Sequence, residues 1–223
     1  MEESVSMEIQ LATASINKDD ELVIEIREMF ERPKIQSIAQ CCIYKVPHYL
    51  RKLNEEAYTP QVISIGLFHH KSERLKAIEE HKDRYFQSFV ERSEIKLEYL
   101  VDTISEMEES IRGCYAETID LTSDWFVKMI LVDASFILEL LFRCSLKGLT
   151  SDDPMAGEPR ANDVMLDLLF LENQLPFFVI EKLFNLSFPS LSNNHLLLEL
   201  SFSYFRDFNM QFIKPSPNVK ILK

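Results

Sequence analysis

Glycine and tryptophan are scarce in this sequence, whereas phenylalanine is abundant. The 223 residues include four Gly and one Trp but sixteen Phe. Hydrophobic residues make up 46% of the chain and charged residues 27%, a globular balance that excludes wholesale disorder. The length suits one large domain or two small ones. So much aromatic material with so little glycine predicts a helical, aromatic-rich core.

Positive charge is also in short supply. The chain has 24 Lys and Arg residues against 36 Asp and Glu residues, which gives a net charge of −12. Proteins that bind nucleic acids use clustered Lys and Arg to contact phosphates, and no basic stripe occurs here. The composition therefore predicts no nucleic-acid partner.

The sequence also lacks CxxC pairs and an export signal. Its four cysteines are Cys41, Cys42, Cys114 and Cys144. The opening residues MEESVSMEIQ are acidic and have no apolar core, unlike a signal peptide. We expect free thiols in a reducing compartment, a buried Cys41–Cys42 pair and a cytoplasmic location for this chain.

The stretch TSDWFVKMILVDASFILELLFR, from Thr122 to Arg143, predicts a long buried helix around which the chain is organised. Its first residues supply N-cap oxygens and a favourable negative charge, and it contains neither Pro nor Gly. A helix that is apolar nearly all round belongs in a core or a membrane. Charged residues interrupt it every few positions, so we predict a core helix and no membrane span in this chain.

One acidic residue of this helix falls on its apolar side. A helical wheel places Asp133 among Phe126 and Ile130, whereas Lys128 and Glu139 share the opposite face with Ser135. A buried carboxylate needs a cation or hydrogen-bond donors. Asp133 is therefore interpreted either as a structural ion pair, with Arg112 or a histidine as partner, or as an acid that lines a pocket.

Apolar periodicity predicts further helices. They are expected from Asp19 or Asp20 to Phe30, from Ser72 to Val90 with Lys82 on the polar face, from Ser93 to about Ile119, from Asn162 or Asp163 through Gln174, from Pro176 through Leu186, and from Asn193 to Phe208. The apolar stripe from Leu97 to Thr118 is interpreted as packing on the central helix, with a coiled coil as the alternative. Ser145 to Asp163 reads as a long linker.

The predicted fold is mainly α: an irregular multi-helix domain with a minor extended element near residues 41–70. That element consists of residues 43–46 and Tyr58–His70, which are rich in β-branched and aromatic residues but are broken by proline and glycine. We expect both pieces to lie across helices. Residues 1–18 are predicted to be a flexible leader, and residues 19–223 a single helical domain.

No catalytic or cofactor motif is present. The sequence has no HExxH, GxSxG, P-loop or GxGxxG pattern, and the adjacent His69 and His70 do not match a metal-binding spacing. We predict neither a cofactor nor a metal site. The polar run from Glu172 to Gln174 is interpreted as capping freed backbone groups, with a cleft lining as the alternative. A hypothetical enzyme would combine the ionisable and polar residues of these stretches in one cleft: His69, His70, Arg112, Asp133, Glu172 and Asn173.

Several stretches together carry a family resemblance. They are, in order, CIYKVPHYLRKLNEEAYTPQVISIGLFHH, LKAIEEHKDRYFQSFVERS, IRGCYAETIDL, FVKMILVDASFILELLFR and LLFLENQLPFFVIEKLF. From about Ile38 onwards the chain resembles the plant domain-of-unknown-function 247 family (the UPF0481 type). The resemblance implies a mostly helical plant protein without an established catalytic activity.

The resemblance also implies a wider context. Longer family members end in a membrane-spanning helix and are expected at the plasma membrane, and some are linked to pollen–stigma self-recognition. This chain resembles a short member without the C-terminal part and the anchor. We therefore expect a non-catalytic plant component of protein interaction, recognition or signalling, with an unknown protein partner. An uncharacterised enzyme with a His/Asp/Glu cleft and a non-functional truncated member are the alternatives.

Overall fold

The computed structural model describes residues 22–24, 27, 43–70, 72–118, 120–146, 153, 160–191 and 194–208. The chain divides into two compact units, residues 1–41 and 42–223. In the first unit, Leu22–Ile24 and Arg27 are helical, within the helix predicted there, and the rest of that helix lies outside the described residues. The proposed boundary between a leader and a domain at residue 18 also lies outside them and stays a prediction.

The second unit is mainly α-helical, as predicted. Its α-helices are α1 (His48–Arg51), α2 (Lys76–Arg92), α3 (Leu97–Gly113), α4 (Ser123–Leu146), α5 (Arg160–Asp167), α6 (Phe177–Ser187) and α7 (Asn194–Tyr204). Short 3₁₀ turns cover Glu56–Tyr58, Glu73–Leu75, Pro189–Leu191 and Arg206–Phe208. Within the described part of the chain there is no strand, and none of its helices is both long and apolar enough to cross a membrane.

Helix α4 is the centre of this unit, which confirms the prediction for Thr122 to Arg143. It packs against α2, α3, α6 and α7. Its buried apolar side chains include Phe126, Ile130, Phe136 and Leu138, each with no exposed surface. Aromatic rings fill the space around its C-terminal half, where the Phe142 ring lies 4.8 Å from Phe188 and 6.0 Å from Phe184. The abundance of phenylalanine is thus used in the core.

Helix α3 packs on α4, as its apolar stripe predicted, but it ends at Gly113 and not near Ile119. The reason is a contact with a distant part of the chain. The Ile43 N–H donates to the Cys114 carbonyl at 2.9 Å, and the Ala116 N–H donates to the Ile43 carbonyl at 3.0 Å. These bonds form a parallel bridge between Ile43 and Tyr115, so the chain leaves the helix where it gains this partner.

The region predicted as extended, residues 41–70, is irregular. Helix α1 and the turn Glu56–Tyr58 interrupt it, and the two predicted extended pieces do not pair among the described residues, since Ile43 bridges to Tyr115. The second piece is nevertheless buried at alternate positions, because Ile63, Ile65 and Leu67 are at most 2% exposed. We call residues 59–70 the 59–70 segment.

The prediction for residues 162–174 as one helix was wrong in its end point. Helix α5 ends at Asp167, and a turn leads to Pro176, which precedes α6. Because the helix stops there, backbone carbonyls near its end lack helical N–H partners, and side chains of the turn donate to them instead. The Gln174 Nε2 donates to the carbonyls of Leu168 at 2.8 Å and Phe170 at 2.9 Å, which is the capping role expected of this polar run. Between α4 and α5 the structure describes Asp153, and the rest of the predicted linker lies outside the described residues.

Candidate functional site

The polar residues that the sequence singled out converge on the backbone of the 59–70 segment. This segment runs without a ladder partner, so its buried N–H and C=O groups must be satisfied by side chains. Gly66 shows how closely it is held, because its φ of 72° is one that residues with a Cβ rarely adopt. A Cβ at this position would lie 2.3 Å from the Gln174 carbonyl oxygen and 2.7 Å from the Tyr115 hydroxyl.

The start of the segment is held by the last residue of α5, Asp167, and by Asn173 from the turn that follows. The Asp167 carboxylate accepts hydrogen bonds from the N–H groups of Gln61 (2.9 Å), Val62 (2.6 Å) and Ile63 (2.9 Å). Burial raises the pKa of Asp167, although these three donors oppose that effect. Asn173 adds both of its functions, because its Oδ1 accepts from the Ile65 N–H at 2.6 Å and its Nδ2 donates to the Ile63 carbonyl at 3.0 Å.

The middle of the segment is held by a buried ion pair between α2 and α4. Asp133 Oδ1 lies 2.6 Å from Lys82 Nζ, and its Oδ2 accepts from the Gly66 N–H at 2.8 Å. Lys82 also donates to the Ser64 carbonyl and lies 2.9 Å from Glu79 Oε1. Burial opposes the charge of Lys82, but the two carboxylates outweigh it, so the pKa of Lys82 lies above its ordinary value.

This pair confirms that Asp133 is buried and requires a cation, and it corrects the identity of the partner. The cation is Lys82, and neither Arg112 nor a histidine. The helical wheel of α2 had placed Lys82 on the polar face, yet its side chain is only 2% exposed. A lysine in the middle of a run of charged residues gives no local sign of burial. The signal that was available is the unsatisfied Asp133 itself, which demanded a cation from some other element.

The end of the segment meets a second buried carboxylate, Glu172, which is 2% exposed. It accepts the Val46 N–H, forms an ion pair with Arg51, and lies 3.2 Å from His69 Nε2 in a geometry that is not that of a hydrogen bond. Burial lowers the pKa of His69, although Glu172 opposes this effect. His70 has a different partner from His69. Its Nδ1 lies 2.6 Å from the Leu67 carbonyl and donates to it, because a carbonyl oxygen can only accept.

Five of the six candidate residues therefore lie on or around the 59–70 segment, and Arg112 lies apart. Arg112 Nε donates to Glu108 at 2.8 Å, Nη2 donates to the Leu121 carbonyl at 2.8 Å, and the guanidinium covers the Phe126 ring at 4.0 Å. Phe126 precedes Asp133 by two helical turns, about 10 Å at 1.5 Å per residue. The structure thus brings five of the six residues to the 59–70 segment, and a cleft that combines all six stays a prediction.

A second ionic network lies at the C-terminal half of α4, and sequence reasoning missed it. Glu139, expected on a polar face, has no exposed surface, and it pairs with Arg92 at 3.0 Å and Arg143 at 2.9 Å. Arg143 also binds Asp153 at 2.6 Å, and the Tyr85 hydroxyl donates to Asp153 at 2.6 Å. The spacing of Glu139 and Arg143, four residues apart on one helix, was the available signal.

Metal-binding and redox groups give no second candidate. Within the described ranges, no three His, Cys, Asp or Glu side chains are clustered so that they could hold a metal ion. Cys144 is a free thiol and the Cys114 thiol donates a hydrogen bond to the Ser110 carbonyl at 3.4 Å, whereas Cys41 and Cys42 lie outside the described residues. Chemically, the polar groups around the 59–70 segment orient and satisfy its backbone.

Glu172 also joins two stretches that expose large apolar side chains. Arg51 and the Val46 N–H tie α1 to this carboxylate, and Leu171 is its neighbour in the chain. We call the exposed apolar residues of α1, of its C-terminal flank, of the end of α5 and of the turn after α5 the Glu172 surface. Its members, between 37% and 82% exposed, are Tyr49, Leu50, Leu53, Leu166, Leu169 and Leu171.

Comparisons of the sequence with known proteins identify its family. The model of a family described as plant protein of unknown function, domain of unknown function 247, matches residues 43–221. An Arabidopsis thaliana UPF0481 protein is 34% identical over 171 residues, which are 75% of this chain and 35% of that protein. A putative UPF0481 protein of the same plant is 29% identical over 180 residues, which are 77% of this chain and 32% of that protein.

This chain thus spans about a third of the length of these two relatives. No solved structure matches it. The family match begins at the bridge residue Ile43 and includes the 59–70 segment, its buried carboxylates and α2 to α7. The chain therefore belongs to the plant domain-of-unknown-function 247 family.

Proposed function

We propose that this chain is a non-catalytic component that binds a protein partner through the Glu172 surface. The observation that carries the proposal is the exposure of large apolar side chains on two stretches tied to one buried carboxylate. Exposed apolar patches on a folded protein are typical of interaction sites, and we propose that these residues form one such patch. Aromatic side chains such as Tyr49, which is 70% exposed, are typical anchors of protein interfaces.

The polar residues near this surface support binding rather than chemistry. Asp133, Asp167, Asn173 and Glu172 each accept hydrogen bonds from backbone N–H groups of the chain. A general acid or base must reach a proton of the substrate, whereas these oxygen atoms are engaged internally. Their arrangement fixes the backbone of the 59–70 segment and of the chain that enters α1, and we propose that this rigidity lowers the entropic cost of binding a partner.

The charge near the surface indicates the kind of partner. Arg51 is neutralised by Glu172, so the exposed charges of α1 and the residues after it are Lys52, Glu55 and Glu56. An apolar surface with little net charge favours a partner that offers an apolar groove or patch with a polar rim. It does not favour a partner that is recognised mainly by charge.

A pair of matched surface variants tests this proposal. The test variant is Tyr49→Ser with Leu53→Ser, and the control is Leu97→Ser with Tyr99→Ser on α3, where both side chains are also exposed. Partners would be crosslinked in plant extract, identified by mass spectrometry, and then measured for direct binding as purified proteins. All variants should keep the wild-type melting curve, because they alter exposed positions.

We expect direct binding to weaken at least about tenfold in the test variant and to change little in the control. Sedimentation of the purified chain alone would show whether the partner is a second copy. Equal binding by wild type and the test variant would overturn the proposal, as would equal loss in test and control.

A further inference from the structure

A cavity of about 190 Å³ lies between α4, α5 and α7. Its apolar wall consists of Leu140 from α4 and Ala161, Val164 and Met165 from α5. Leu140 and Val164 are at most 1% exposed, so this wall is part of the packed core. Apolar cavities of about 150 Å³ accept benzene-sized molecules, and this one is slightly larger. Its volume therefore suits a single ring with a small substituent.

The remaining wall carries neutral polar groups. It consists of Cys144, Ser203 and Tyr204, and none of the described residues that line the cavity is charged. Burial and the nearby Asp153 raise the pKa of the Cys144 thiol to about 11, and burial and Cys144 raise the pKa of the Tyr204 hydroxyl. Both groups are thus protonated at neutral pH, and each can donate a hydrogen bond.

These two properties select the chemistry of a ligand. A carboxylate or an ammonium would enter an apolar space in which no described lining side chain carries a charge, which is unfavourable. A neutral ring with one acceptor oxygen would fill the apolar wall and accept a hydrogen bond from Tyr204. We propose that the α4–α5–α7 cavity binds a small, neutral, monocyclic aromatic molecule that carries one hydrogen-bond acceptor.

This site and the Glu172 surface are tested at different residues. Met165 of the cavity precedes Leu166 of the Glu172 surface on α5, but the two sets share no residue. The variants that test the Glu172 surface leave the cavity lining unchanged, and the cavity variants below leave the Glu172 surface unchanged. Failure of one proposal therefore does not affect the other.

The test uses three probes of similar size on the purified full chain. Acetophenone is neutral and has an acceptor oxygen, toluene is neutral without an acceptor, and benzoate is charged. Binding would be measured by calorimetric titration and by saturation-transfer NMR. We expect acetophenone to bind with a dissociation constant on the order of 0.1–1 mM, which is typical of a ligand of this size. Toluene should bind more weakly, and benzoate at least about tenfold more weakly than acetophenone.

Two variants locate the binding. Ala161→Phe fills the cavity and should weaken acetophenone binding at least about tenfold, whereas the control Ala57→Phe, at an exposed 3₁₀ position, should leave it unchanged. Tyr204→Phe keeps the ring and removes the donor, so it should weaken acetophenone binding several-fold and spare toluene. Circular dichroism melts would show that each variant is folded.

Three results would overturn the inference. They are no binding of either neutral probe at about 10 mM, unchanged binding by folded Ala161→Phe, and benzoate binding as tightly as acetophenone. If Ala161→Phe does not fold, Tyr204→Phe decides. An equal effect of that variant on both neutral probes, or no effect on either, would then overturn the inference.

Discussion

Helix α4 buries two carboxylates, Asp133 and Glu139, and they are neutralised in different ways. Asp133 has one cation, Lys82, and both side chains are at most 3% exposed. Glu139 has two cations, Arg92 and Arg143, whose side chains are 42% and 24% exposed. The first pair also binds backbone groups of the 59–70 segment, whereas the second joins α4 to α2 and to Asp153. One helix thus carries two buried charges with different roles. The first holds the irregular 59–70 segment, and the second, about two turns later, joins α4 to α2 and to Asp153.

The comparison teaches that burial of one carboxylate does not by itself set the cost of losing its partner. If Lys82 is removed, no other cation among the described residues pairs with Asp133, whose side chain is only 3% exposed, so its charge is left uncompensated. If one arginine is removed, Glu139 keeps the other. We therefore expect the Asp133 site to be more sensitive to substitution than the Glu139 site.

The largest effect is expected for Lys82→Met, which leaves the Asp133 charge buried and alone. The free energy of unfolding should fall by about 3–5 kcal/mol in urea titration. Asp133→Ala should cost on the order of 3 kcal/mol, and the double variant Lys82→Met with Asp133→Ala should cost less than the sum of the two single losses. The control is Lys76→Met on the same helix, where the side chain is 70% exposed. A loss below about 0.5 kcal/mol for Lys82→Met would mean that Asp133 is solvated.

Gly66→Ala probes the backbone that the first pair holds. A Cβ would meet the Gln174 carbonyl at 2.3 Å, and the φ of 72° is unfavourable for alanine. We expect a loss of about 2 kcal/mol or more in the free energy of unfolding, again measured by urea titration. A neutral or stabilising result would contradict the conformation described for Gly66.

Glu139→Gln should cost less than Lys82→Met. The glutamine keeps acceptor capacity, and the two arginines can reach water because they are partly exposed. A loss of about 1–2 kcal/mol is expected from the weaker hydrogen bonds to uncharged Gln. Arg92→Ala should cost about 1 kcal/mol or less, since it is the more exposed partner. The comparison between the two sites fails if Glu139→Gln proves more damaging than Lys82→Met.

The smallest effect concerns pH and His69, at the end of the 59–70 segment. Burial lowers the pKa of His69 from its ordinary 6.5, so the unfolded chain binds the proton more readily than the folded chain. The stability from this residue is present above pH 6.5 and is lost as the pH falls from 6.5 through the folded pKa. Urea titrations over this pH range should show that the free energy of unfolding falls less with decreasing pH in His69→Gln than in wild type. The control His48→Gln, at an exposed histidine, should behave as wild type. Parallel curves for wild type and His69→Gln would exclude this role.

Much of the helical framework followed from local patterns in the sequence. The apolar content and the absence of Gly and Pro predicted α4, and alternating steps of three and four apolar residues predicted α2 and α3. The ends of α3 and α5 were wrong because long-range partners compete there. Ile43 forms hydrogen bonds with the backbone after Gly113, and backbone N–H groups of the 59–70 segment donate to Asp167 and Asn173.

The candidate site followed from the sequence only in part. The position of Asp133 on an apolar face predicted a buried partner for its charge. The polar run at 172–174 predicted hydrogen bonds to unpaired backbone groups. The partner of Asp133 lies 51 residues away in the chain, so no local pattern identified Lys82. The flexible stem of lysine can reach into a core from a position that a helical wheel assigns to the surface.

By itself, the sequence determined a mainly α-helical chain, a central helix with an aspartate on its apolar side, and membership in a plant family of unknown function. These features depend on composition, periodicity and motifs, which are properties of neighbouring residues. Only the tertiary structure decided that Lys82 neutralises Asp133, that Glu139 is buried, and that side chains hold the 59–70 segment in place of a β-ladder. The physical reason is that a buried polar group must find its partner in space, and that partner is supplied by whichever element packs against it.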